Sequence, residues 1–163
     1  MKVTIGPYPD HGEQEVDVQI DNYDTWSMDS TLAHIILPML KQLQATKHGA
    51  PSVDPDDVPI ELYPTIPASD ENGWVDNTHF ARWDWVLNEM IFAMENINAD
   101  WEDQFWEEHP EIDWDAGEQD EEGNREVVWV KEGKCDWEGL RKYEERISKG
   151  CLLFGKYFRN LWD

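Results

Sequence analysis

Apolar residues recur along the chain with two periods. Val3 and Ile5 alternate with polar neighbours, Pro7, Pro9 and Gly12 interrupt, and Val16, Val18 and Ile20 alternate again. A period of two broken by proline and glycine predicts a β-hairpin with a long loop. From there the period lengthens. Leu32, Ile35, Ile36, Met39, Leu40 and Leu43 share one face of a helix that Asp29 or Ser30 can cap. Pro38 inside it removes the amide that would bond His34, so a kink or a short break is expected. A second helix, capped by Thr78, carries Phe80, Trp83, Leu87, Met90, Met94 and Ile97, with Trp85, Val86, Phe92 and Ala93 widening the stripe. A helix apolar over so much of its surface belongs at the centre of the fold. It is expected to run on, or restart, from Asn98 to Glu108 before Pro110 stops it.

Val127 to Val130 read as a short strand, and Glu132-Gly133 as a hairpin turn into Lys134 and Cys135. Together with the N-terminal hairpin this predicts a small antiparallel sheet. The last helix begins after Asp136 as N-cap, with Leu140, Ile147, Cys151, Phe154, Phe158 and Leu161 on one line that Glu144 interrupts. Residues 48–76, with five prolines and two glycines, read as an extended crossover loop and not a packed element. The fold class expected is α+β, with three principal helices packed with a small antiparallel sheet in a single domain spanning residues 1–163. At that length the chain can bury about two-thirds of its unfolded surface.

Charge changes the picture most. The 36 Asp and Glu outweigh 13 Lys and Arg, giving −23, a field that repels nucleic-acid phosphates and anionic membranes and favours basic partners. Twelve of the acids, and no Lys or Arg, lie between Asp100 and Glu122, within an acidic segment spanning residues 100–124. Asp113 to Asn124 is expected to be a polar loop. Because Trp buries much area at low entropic cost, the acids and tryptophans here suit an Arg- and Lys-rich protein surface. The candidate partner-binding residues are Asp100, Trp101, Glu102, Asp103, Trp106, Glu107, Glu108, Glu111, Asp113, Trp114 and Asp115. Two plainer readings stand beside this one: the acids serve solubility, and the three tryptophans pack the segment onto the body. Six of the basic residues, Arg141, Lys142, Arg146, Lys149, Lys156 and Arg159, fall on the last helix, where they complement its dipole and could neutralise the acidic segment.

No catalytic signature stands out. There is no glycine-flanked serine elbow or phosphate-cradling glycine loop, and no histidine pair has metal-ligand spacing. Asp84, Asn88 and Glu95 share a helix face and, with Glu89, could meet a metal if another helix added ligands; otherwise they lie on the wet side or pair with Arg82 or the last helix. Cys135 and Cys151 are read as reduced and structural, Cys151 as core. No cofactor is expected. No apolar run has the length of a signal peptide or membrane span, so a cytosolic protein is expected.

Three blocks are specific strings: Tyr23 to Leu32 continuing through Ile35 to Leu43 and Lys47-His48-Gly49, then Arg82 to Ile91, then Leu153 to Trp162. In these the chain resembles a family of uncharacterised proteins from tailed bacteriophages. Many members carry a longer insertion before the segment matching Val18 to Asp21, which is short here. The resemblance implies no activity or cofactor. It implies a phage gene product in the cytoplasm of an infected bacterium. With the charge, it gives the expected function: a non-enzymatic acidic protein that binds and modulates or blocks a host or antiphage-defence protein, by a surface that imitates DNA in its sharpest form. The alternatives are a sponge for a nucleotide second messenger, lined by Arg141, Lys142 and Arg146, and, third, a metal-dependent hydrolase.

Overall fold

Helix α2 (His79–Asn96) lies between α1 (Met28–Thr46) and α3 (Trp137–Tyr157) and packs against both. The computed structural model describes residues 1–64 and 76–162. Trp83, Val86, Leu87, Met90 and Ala93 of α2 are fully buried, as its broad apolar surface requires. Strands β1 (Lys2–Ile5), β2 (Val16–Gln19), β3 (Trp106–Glu108), β4 (Glu111–Asp113), β5 (Val128–Lys131) and β6 (Lys134–Cys135) complete an α+β fold of three helices and small antiparallel pairs.

The strands pair as β1 with β2, β3 with β6 and β4 with β5, so the two expected hairpins do not join in one sheet. Glu132-Gly133 does not reverse the chain. Registers of Trp106 with Cys135, Glu111 with Lys131 and Asp113 with Val128 make residues 106–113 and 128–135 the two arms of one long ribbon, interrupted midway. Pro110 has no amide to donate there, and Gly133 sits against it: a Cβ on Gly133 would lie 2.7 Å from Pro110 Cδ. The expected extension of α2 to Glu108 is also replaced. After Asn96 the chain takes a 3-10 turn at Glu102–Phe105 and enters β3.

Three further expectations shift. Helix α1 begins after Ser27, so Asp29 and Ser30 lie in its first turn, and it continues through Pro38. Ser27 and Thr78 make no side-chain cap bond, whereas Asp136 accepts from the Gly139 amide at 2.9 Å as expected. The described part of the crossover is packed, with Val53 and Val58 in the core. Its anchors are polar. The Tyr157 hydroxyl accepts from the Asp54 amide at 3.0 Å and donates to Asp57, while Lys156 reaches the Asp57 carboxylate at 2.6 Å. Residues 65–75 of the expected loop lie outside the described residues.

On α3 the buried line is Gly150, Leu153 and Tyr157, one position away from the expected stripe, so Glu144 and Cys151 are exposed. A Cβ on Gly150 would meet Glu89 O at 2.3 Å, so α2 and α3 touch backbone to backbone there. The expected stripe has another role. Phe154, Phe158 and Leu161 face Ile36, Met39 and Leu43 of α1 across an apolar groove of about 540 Å³, with Leu40 also lining it. Met39 and Phe158 are about 60% exposed.

Polar pairs set the register of the helices. Lys41 meets Glu95 at 2.6 Å, Gln44 donates to Asn88 at 2.8 Å, and Lys47 meets Asp84 at 2.5 Å, which makes α1 and α2 antiparallel. Glu89 faces the other way and takes a bidentate contact from Arg146 of α3, at 2.9 and 2.7 Å. Arg82, buried at the start of α2, donates to both Asp76 oxygens, to Thr78 Oγ1 and to the Leu62 carbonyl.

Candidate protein-binding face

The acidic segment becomes one arm of the β3–β6 ribbon, which is tied to the helices at its base. Trp101 stacks on Tyr143 of α3 with ring centroids 5.1 Å apart, and Phe105 meets the same ring edge-on at 5.6 Å. The Asp136 amide donates to the Phe105 carbonyl at 2.8 Å. Trp101 therefore packs the segment onto the body, the plainer of the two readings for that residue. At the far end Asp120 organises the tip, accepting from the Glu122 and Asn124 amides at 3.0 and 2.8 Å, with Gly123 at φ +90°.

Between base and tip the ribbon carries most of the candidate residues. Glu107 pairs with Lys134, and Glu108 with Lys131 at 3.1 Å, both across the strands and exposed. These carboxylates hold the Lys134 ammonium above its ordinary range, Glu107 first. Asp103 lies 3.3 Å from His109, and Asp115 lies 3.7 Å from Arg125. Asp113 accepts from the Asp115 and Ala116 amides and turns the chain out of β4. Asp100, Glu102 and Glu111 are exposed, and Trp114 is 70% exposed. The neutralising cations come from β5, β6 and Arg125 just before β5. The expected source, α3, sends Arg146 to Glu89, Lys142 to Glu138 and Lys156 to Asp54 and Asp57.

Where Pro110 and Gly133 interrupt the ribbon, the surface opens into an aromatic depression of about 340 Å³, lined by Trp106, Pro110, Trp129, Glu132, Gly133 and Trp137. Trp106 forms its inner wall, edge-on to Trp137 at 5.4 Å and stacked on His109 at 5.5 Å. Its ring fits because Gly133 has no side chain: a Cβ there would lie 2.6 Å from Trp106 Cζ3. Trp129 and Trp137 are 56% and 64% exposed. Exposed tryptophans beside carboxylates offer a cationic side chain both a ring face and a counter-charge. Both fall in or beside regular elements, where a large apolar side chain is ordinarily core, yet both are open to solvent. The signal that could have found them is Pro110 and Gly133 facing each other across paired arms, each arm with a tryptophan close by.

The structure does not bring the candidate metal ligands together. Asp84 and Glu89 point to different helices, and among the described residues no group of three His, Cys, Asp or Glu is placed to hold a metal ion. Cys151 is raised above its ordinary value by partial burial and by Asp29, and Cys135 by burial and Asp136, so neither thiol is activated. Among the described residues no helix is long and apolar enough to cross a membrane. No known protein family matches the chain, and neither a curated protein nor a solved structure matches it.

Proposed function

We propose that this chain is a non-enzymatic binding protein that docks its acidic, tryptophan-bearing ribbon on a basic surface of a host or antiphage-defence protein in the cytoplasm of a phage-infected bacterium. The observation that carries this reading is the aromatic depression itself. Trp129 on the ribbon and Trp137 at the start of α3 stay exposed beside Glu132, next to a ribbon arm dense in carboxylates. An arginine of the partner would lay its guanidinium on an indole face and its charge against Glu132, a combination common at binding hot spots. The phage context rests on the resemblance alone. The −23 charge supports a basic partner over an anionic nucleotide.

Tryptophan fluorescence titrated with an arginine-rich peptide tests the site directly. The intact protein should bind it, with affinity that falls as salt rises, because surface charges are screened beyond about 8 Å at physiological ionic strength. Trp129→Ala should weaken binding about tenfold or more. Equal binding of arginine-rich and acidic peptides, or no effect of Trp129→Ala, would reject the ribbon as the recognition face.

A further inference from the structure

The aromatic depression is lined by groups that hold a positive charge without hydrogen-bonding it. Trp106 and Trp137 stand with their ring planes 76° apart, two walls close to a right angle, and Trp129 adds a third indole from β5. Pro110 and Gly133 contribute no side-chain donor or acceptor, so among the described lining residues Glu132 supplies the one side-chain acceptor. Its neighbours Lys131 and Lys134 are engaged across the strands with Glu108 and Glu107, which leaves Glu132 without an ion pair among the described residues. The depression also lies far from the chain flanking residues 65–75. Leu62 and Asp76 bind Arg82 at the start of α2, where Trp83 meets Tyr157, and from Tyr157 back to Trp137 α3 runs about 30 Å.

On the basis of the ribbon's proposed role as a recognition face for a basic protein, we infer that the depression receives a trimethylated lysine side chain of that partner. Donor count selects this cation. A guanidinium carries five N–H donors and an unmodified ammonium three, and each one taken out of water without an acceptor is costly. One carboxylate cannot satisfy them. An arginine therefore meets the site from its rim, with its remaining donors in water. A quaternary ammonium strands no donor, its methyl groups bury apolar area against the indoles, and its charge acts on the rings and on Glu132 together. Size agrees, because about 340 Å³ is at the small end of ligand pockets and holds one side-chain head, not a loop. Charge makes the occupant part of a chain and not a free cation. Residues 106–113 and 128–135 hold five carboxylates against two lysines, and Glu111 and Asp113 carry the excess beyond the depression along β4, where only a longer basic segment reaches them.

Fluorescence polarisation of three labelled peptides on the intact protein decides this. The peptides share one basic sequence and differ at a single position, which holds lysine, trimethyllysine or the neutral analogue of trimethyllysine with carbon in place of nitrogen. The trimethyllysine peptide should bind about fivefold or more tightly than either of the others. Trp129→Ala and, separately, Trp137→Ala should bring the three affinities together; both residues are largely exposed, so circular dichroism should be unchanged. Choline should compete only at concentrations far above the peptide's dissociation constant. Equal binding of the lysine and trimethyllysine peptides would overturn the inference while leaving the ribbon as a recognition face. Equal binding of the neutral analogue would overturn it in favour of an apolar pocket, and choline as tight as the peptide in favour of a free-cation site. Failure of all three peptides to bind would overturn the inference together with the proposed function.

Discussion

A methyl group built on Gly150 would lie 2.3 Å from the Glu89 carbonyl oxygen and 2.6 Å from Ala93 Cβ. Neither the backbone nor a Cβ can rotate away, so a side chain at this position pushes α3 off α2. Gly150→Ala should cost about 1–3 kcal/mol by urea denaturation, although alanine is the better helix former at an unstrained site. Asp76 makes a second point at this scale. The Arg82 guanidinium, with help from Thr78, holds its carboxyl far below the ordinary value of 3.8. A folded value below the unfolded one adds stability that is complete above the unfolded pKa and is lost as pH falls through the folded one. Acid titration of the intact protein should therefore show stability falling below about pH 4. Asp76→Asn should be less stable at neutral pH by about 3 kcal/mol, because it strands a buried guanidinium. The variant should also lose part of the acid-dependent slope.

Among the elements, the ribbon and the helical body divide the tryptophans between packing and exposure. Trp101 is half-buried and stacked on Tyr143, so removing it detaches the base of the ribbon from α3. Trp114 is 70% exposed on the same segment. Trp101→Ala should destabilise by about 2 kcal/mol for the area uncovered, whereas Trp114→Ala should stay within about 0.5 kcal/mol. Equal losses in urea unfolding would mean that the ribbon packs differently. Helix α3 shows why a stripe read from sequence does not name its neighbour. Ile147, Phe154, Phe158 and Leu161 are all apolar, yet Phe154, Phe158 and Leu161 line the groove, and the face touching α2 is centred on Gly150, a residue that carries no hydrophobic signal.

For the molecule as a whole, −23 on 163 residues is a source of self-repulsion. Raising potassium chloride from low to moderate ionic strength should increase the melting temperature of the intact protein while it weakens peptide binding at the ribbon, since screening relieves one interaction and removes the other. A melting temperature unchanged by salt would show the carboxylates to be compensated locally, as Glu107 and Glu108 are by Lys134 and Lys131. Local periodicity was enough to establish three helices, the N-terminal hairpin, the Asp136 cap and the central place of α2, because each depends on residues three, four or two apart. Composition alone established the field around the molecule. Pairing across 15 or more residues depended on tertiary structure: by propensity Val128 to Lys131 suit Lys134-Cys135 as well as Glu111 to Asp113, and they pair with the latter, beside the meeting of Pro110 with Gly133. The same holds for the aromatic depression and the apolar groove, whose walls come from segments that no local pattern relates. They exist because backbone contacts at Gly133 and Gly150 set how closely those segments approach.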